Sequence, residues 1–299
     1  ASDVYKRQVM NSTGTNMLAL DYLLGPYKYS APTGTEVQMF TLTGNLTQSY
    51  QGGWNAIAGS LDGTKLIAGG NQVLYTSSNS GSTWTLQSGG LPIEGITWNS
   101  LCCSSNGTIV YGTVSTLGIF KSTNSGVTWT QLSFTPSPAG ETFRHVSCSS
   151  NGSVVLIASS ICVHVSTDGG ATFTTGQAAT LAGFMGAMSS DGSIMYYTDN
   201  NTGVWISNDT GDNWVASSIP KFNGNYYIAC SADGSTVISA VFGFGLYISR
   251  NTGTTWINIT NNFPHSGLNF NKCIAVSADG GVLIVSNSSN GTFLSFDNG

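Results

Sequence analysis

The stretch Ser207-Asn208-Asp209-Thr210-Gly211-Asp212-Asn213-Trp214 constrains this chain more than any other feature, because it recurs. It reads Ser-x-Asx-x-Gly-x-x-aromatic, and Ser77 to Trp84, Ser122 to Trp129, Ser166 to Phe173 and Ser249 to Trp256 repeat it. Ser295-Phe296-Asp297-Asn298-Gly299 begins it again. The Asx side chain is expected to fold back onto backbone N–H groups one and two residues on, with the Ser adding a weaker local bond. The Gly two residues later takes a positive φ without a Cβ clash. The aromatic residue opens the next strand and plugs the turn. Asn stands for Asp at Asn79, Asn124 and Asn251, beside Asp168 and Asp209. A calcium loop would suffer from that loss of charge, so these octapeptides read as turn-formers and not as metal sites.

A second signature accompanies each of them. Asp62-Gly63, Asn106-Gly107, Asn151-Gly152, Asp191-Gly192, Asp233-Gly234 and Asp279-Gly280 each follow a Ser placed two residues before the Asx. Asx-Gly between apolar runs is a strong hairpin signal. The combined unit recurs every 40 to 46 residues, and a period of that size with four strands per unit marks a propeller. Each unit reads strand, Asx-Gly turn, strand, loop, strand, octapeptide, strand. Short links make successive strands antiparallel, and no segment carries sustained helical periodicity with caps.

The N-terminal region holds a degenerate copy. Phe40 precedes Asp62 by 22 residues, as Trp84 precedes Asn106 and Trp129 precedes Asn151. Residues 9–48 therefore read as a unit lacking its innermost strand, and the last unit, from about residue 267, as one lacking its outermost strand. The expected fold is all-β: a β-propeller of seven blades of four antiparallel strands, the first and last blades incomplete and closed on each other. Residues 1–8 read as translated adapter sequence, which leaves 9–299 as a single propeller domain, a fragment at both ends.

Composition excludes several classes. Only 8% of the 299 residues are charged and the formal net charge is −5. The 9 Lys and Arg are scattered, so the basic footprint of a nucleic-acid binder is missing. No apolar run is long enough to span a bilayer. Of 6 Cys, Cys103, Cys148 and Cys230 share one position of the repeat with Gly59, Met188 and Val276. That slot is expected to be buried and apolar, holding core thiols, although a disulfide between neighbouring inner strands is left open by the spacing. No zinc-type Cys spacing or repeated His/carboxylate pattern occurs, so no metal or other cofactor is expected.

These octapeptides resemble the Asp-box, or BNR, repeat of sialidase-like β-propellers, over nearly all of the chain after residue 8. The resemblance implies the architecture and not an activity, since such propellers include sialidases, xyloglucanase-type glycoside hydrolases, sorting receptors and photosystem assembly factors. Sialidases clamp a carboxylate with three arginines. This chain has only Arg7, Arg144 and Arg250, of which Arg250 lies inside an Asp box, and it has no Arg-Ile-Pro motif. Sialidase activity is rejected on that ground.

The resemblance also implies that ligands bind on the face opposite the boxes. By strand alternation the Asx-Gly turns share the box face. The opposite face then carries Glu94, Trp98, Glu141, Arg144, His145, Asp199, Lys221, Tyr226, Phe242, Phe244, His265 and Lys272. Trp54, Trp98 and Tyr227 are expected to pack between blades. Phe242-Gly243-Phe244-Gly245 offers two rings spaced by glycines, for stacking on sugar or for packing. Arg144 and His145 could bind an anion, although a solvated loop pair is the plainer expectation. His164, inside a third strand, is expected to be structural. A glycosidase needs two carboxylates about 5 to 10 Å apart, and Glu94, Glu141 and Asp199 are the candidates on this face. Asn-x-Ser/Thr sites such as Asn45, Asn208 and Asn258 suit a secreted, extracellular glycoprotein, though this composition yields many by chance.

Three functions follow in order of expectation: a non-catalytic module binding a protein or a glycan; a glycoside hydrolase of the xyloglucanase type; and a photosystem-assembly factor, for which no charged docking patch is evident.

Overall fold

A computed structural model describes residues 5–10, 16–21, 25–30, 41–42, 53–92, 95–115, 117–133, 140–175, 183–199, 202–262, 270–287 and 291–295. Strands consecutive in sequence pair antiparallel into six four-stranded sheets and one three-stranded sheet. The unit at Tyr226–Cys230, Val237–Val241, Gly245–Ser249 and Ile257–Asn258 is representative. Ala229 pairs with Ile238, Ile238 with Ile248, and Ile248 with Ile257. The two middle strands are buried along their whole length, whereas the outermost, two residues long, is exposed. This gradient explains the composition: a sheet sandwiched between neighbours needs apolar residues on both faces, and only its rim meets water. So short an outer strand also offers little edge for another chain to pair with.

The innermost strands are Tyr5–Met10, Ala56–Gly59, Trp98–Cys103, Phe143–Cys148, Gly183–Met188, Tyr226–Cys230 and Phe270–Val276. Each lies against the next, and the last lies against the first, so the sheets stand in a closed round. The expectation that the first unit lacks its innermost strand is corrected. Tyr5–Met10 occupies that place, pairing Gln8 with Ala19 and Val9 with Leu18. The strand starts inside the segment set aside as adapter sequence, a few residues before the repeat pattern becomes legible.

The Asx-Gly turns join blade to blade. Leu61 N–H donates to Ser105 O (2.8 Å), Ser105 to Ser150 (2.7 Å), Ser150 to Ser190 (2.7 Å), Ser190 to Ala232 (2.6 Å) and Ala232 to Ala278 (2.9 Å). A belt of backbone bonds thus runs from turn to turn around the round. The glycines of these turns serve it twice. Gly152, at φ +73°, needs the left-handed region, and a Cβ there would lie 3.0 Å from Ile109 of the preceding unit.

Within each octapeptide the roles differ from expectation. The Asx oxygen reaches four residues on, not one or two: Asn124 Oδ1 accepts from the Thr128 N–H (2.9 Å), and Asp209 Oδ1 from that of Asn213 (2.9 Å). The Ser is the hub rather than a weak accessory. Ser207 Oγ donates to Asp209 Oδ1 (2.7 Å) and accepts from the Gly211 N–H (2.8 Å). The reason is a conformation the sequence hid. The residue before the Gly is left-handed too: Ser80, Ser125, Thr210 and Thr252 have φ between 56° and 60°. Two consecutive left-handed residues make a tight reversal that carries the Asx past its near neighbours. Plug burial is graded. Trp84 and Trp129 are buried, while Phe173, Trp214 and Trp256 are half-buried.

The cysteine slot is also corrected. Gly59, Cys103, Cys148, Met188, Cys230 and Val276 are all half-buried. They lie at the ends of the innermost strands, where burial still pushes the Cys103 and Cys230 thiols upward. Cys102, Cys103, Cys148, Cys162 and Cys230 are free thiols.

Candidate functional site

The two turn types lie on one face. Inside each unit the residue after the box Asx donates its N–H to the second residue after the Asx-Gly Asx: Ser80 to Thr64 O (2.9 Å), Ser125 to Thr108 O (2.9 Å), Thr210 to Ser193 O (3.1 Å) and Thr252 to Ser235 O (3.0 Å). Loops between second and third strands therefore emerge on the opposite face, together with the chain entering each innermost strand.

Glu94, His265 and Asp297 lie outside the described residues. Lys272 lies in the strand Phe270–Val276. Trp98 is fully buried, its ring centroid 4.9 Å from that of Trp129 and 6.0 Å from that of Phe120. Tyr226 is buried as well, and its hydroxyl takes the Phe222 N–H at 2.5 Å. Asp199 is buried at the end of a second strand, where its Oδ1 accepts from the Thr202 N–H (2.9 Å) and closes the loop. Arg144 and His145 are not a solvated loop pair. Both belong to Phe143–Cys148, where Phe143 pairs with Ser159 and His145 with Ala158, so Arg144 is the extra residue of a bulge. His145 is buried, its Nδ1 accepting from the Gly186 N–H (3.3 Å).

Two arrangements on this face are of interest. In the first, Phe242 and Phe244 are 43% and 42% exposed, the two large exposed aromatic side chains among the residues whose burial is described. Their loop is stiff. Phe242 N–H donates to Asn225 O (3.0 Å) and Phe244 N–H to Val241 O (3.0 Å). Gly243 sits at φ +81° at an open tip, and the Phe244 ring stacks on Phe222 with centroids 4.5 Å apart. Lys221, exposed, precedes Phe222 in the chain.

The second is a buried polar cluster that sequence reasoning only half saw. Glu141 Oε1 lies 2.7 Å from His164 Nε2, 3.5 Å from Cys162 Sγ and 2.5 Å from Ser159 Oγ. Cys162 Sγ lies 3.1 Å from the same His164 Nε2. Thr175 Oγ1 is 3.3 Å from His164 Nδ1. Burial lowers the His164 pKa against the opposing pull of the Glu141 carboxylate. Burial, and next the Glu141 charge, push the Cys162 thiol up to about 11. Cys162 and His164, two residues apart entering a strand, point to one side of it. That spacing was readable. The approach of Glu141 from the start of the unit was not.

No known family model matches the chain, and neither does any curated protein. Solved structures do. The GH74 enzyme of Niastella koreensis is similar over 99% of this chain and 53% of its own, at 18% identity and a TM-score of 0.77. The GH74 xyloglucanase of Xanthomonas campestris is similar over 99% and 52%, at 15% identity and 0.76. The WD40 repeats of RRP9 are similar over 96% and 88%, at 9% identity and 0.73. This chain spans about half the length of the two hydrolases. At these identities the likeness establishes a β-propeller, a fold shared by glycoside hydrolases and WD40 proteins alike.

Proposed function

We propose that this chain is a non-catalytic Asp-box β-propeller that binds a glycan or a protein on the face opposite its boxes, with the Phe242–Gly245 loop as the main contact. The observation that carries the reading is the exposure of Phe242 and Phe244 on a loop tied by two backbone hydrogen bonds, where the other aromatic rings of described burial are wholly or partly covered. A preformed loop loses little conformational entropy when it is covered. At roughly 150–250 Å² per aromatic side chain, the exposed parts of the two rings come to on the order of 170 Å², worth about 4 kcal/mol at most when buried. The carboxylates support the same reading. Glu141 and Asp199 are buried and bound to neighbouring groups in their own blades.

A second reading, a glycoside hydrolase of the xyloglucanase type, draws on the likeness to the two GH74 structures over nearly the whole chain. One experiment separates the two. Wild type and a Phe242→Ser/Phe244→Ser variant are screened against a glycan array, and hits are followed by calorimetry and a reducing-sugar assay. The binding reading expects at least a tenfold loss of affinity in the variant, a native β-sheet circular-dichroism spectrum and no sugar release. Binding indifferent to both substitutions would end it. Hydrolysis lost on changing Glu94 or Glu141 would establish the enzyme instead.

A further inference from the structure

We propose that Glu141, Cys162 and His164 form a binding site for one zinc-like divalent cation, inside the top of the blade built on Phe143–Cys148. The three donor atoms, a carboxylate oxygen, a thiol sulfur and an imidazole nitrogen, lie within 4.8 Å of one another, and all three residues are buried. The argument rests on how they meet. In a nucleophilic Cys–His–carboxylate relay the thiol and the carboxylate engage opposite ring nitrogens, so that a proton can pass across the imidazole. Here both lie against the same Nε2. Cysteine and glutamate thus converge with the histidine on one point and cannot act through it as a relay.

The distances suit a metal in that place. Bonds of about 2.0–2.2 Å to nitrogen and oxygen and about 2.3 Å to sulfur, at tetrahedral angles, give donor separations of roughly 3.3–3.6 Å. The S···O separation of 3.5 Å already matches, and S···N at 3.1 Å is close. The 2.7 Å N···O separation is that of a hydrogen bond, and it needs to open by about 0.6 Å as the cation replaces the shared proton. The outer contacts are those a histidine ligand needs: Thr175 Oγ1 meets the remaining ring nitrogen, and the Ser159 hydroxyl donates to the carboxylate. On binding, the cation takes the place of the protons held between these groups. One thiolate, one imidazole and one carboxylate select zinc over calcium or magnesium, which prefer an all-oxygen shell. Three protein ligands leave the fourth position to water.

The test uses the full chain after chelator treatment. Cobalt(II) should bind at one equivalent, with ligand-field bands of tetrahedral intensity and a thiolate charge-transfer band, and zinc should displace it. Cys162→Ser should abolish the charge-transfer band, whereas Cys102→Ser should leave it. Glu141→Gln and His164→Gln should each weaken zinc binding at least tenfold. If a variant does not fold, X-ray absorption at the zinc edge of the wild-type protein decides, with one sulfur in the first shell expected. Uptake below one equivalent, a shell without sulfur, or a cobalt spectrum unchanged by Cys162→Ser would overturn the proposal.

Discussion

Ser207→Ala tests the physical basis of the repeat. Ser207 is 1% exposed, and its hydroxyl accepts from the buried Gly211 N–H at 2.8 Å while donating to Asp209 at 2.7 Å. The substitution does not harm the carboxylate much. Asp209 is exposed and keeps the Asn213 backbone and side-chain donors at 2.9 and 2.7 Å. The harm falls on Gly211, whose N–H is left buried without its acceptor, at about 1–3 kcal/mol. The middle to upper part of that range is roughly 2.5 kcal/mol. For a chain of this size that lowers the melting temperature by about 5 °C. Denaturant unfolding with an unchanged m-value and calorimetry measure the two quantities. Ser218→Ala is the control, because Ser218 also hydrogen-bonds, to Thr254 O at 2.8 Å, but on the surface. It should stay within about 0.5 kcal/mol of wild type. Ser122→Ala, in a box with Asn124, should match Ser207→Ala, since the Gly126 N–H bond at 2.9 Å is the shared part. A Ser207→Ala protein indistinguishable from wild type, or no more affected than Ser218→Ala, would refute the argument.

Two further outcomes follow from the same geometry. Asp168→Asn should be tolerated at neutral pH, because Thr172, which donates to Asp168 Oδ2 at 2.6 Å, can accept from an amide as Thr128 does from Asn124. The Asp168 pKa is lowered by the Thr172 hydroxyl and then by its backbone N–H, so its stabilisation is present above the ordinary value near 3.8 and is lost as pH falls below it. The variant's melting temperature should therefore gain on wild type as pH is lowered through that value, and parallel curves would count against the box contacts. Gly112→Ala should destabilise by about 1–3 kcal/mol, because its Cβ would lie 2.2 Å from the ring of Trp98, which is fully buried; a neutral effect in denaturant titration would mean that this ring can move.

Much of the architecture was legible because its information is local. Asx-Gly pairs and the Ser-x-Asx-x-Gly octapeptides fix hairpins within a few residues, and a hairpin of set length repeated at a set period has few ways to bury both faces. The innermost strand of the first unit was missed because Tyr5–Met10 precedes every recognisable turn and gains its place by packing against Ala56–Gly59 and Phe270–Val276. Burial on the face opposite these turns was less legible. Nothing local distinguishes the exposed Phe244 from the buried Tyr226, since each is decided by what the adjoining loop covers.

What the sequence settled alone is the unit: which residues turn, which strands follow them and that they repeat, because backbone conformation and short-range hydrogen bonds are set by near neighbours. What only the tertiary structure decided is company. Glu141 and His164 are separated by a whole hairpin, and two backbone reversals bring them to 2.7 Å. The belt of turn-to-turn bonds exists only once the sheets stand side by side. Contacts of that range depend on the closed arrangement of the sheets, which no local pattern of residues encodes.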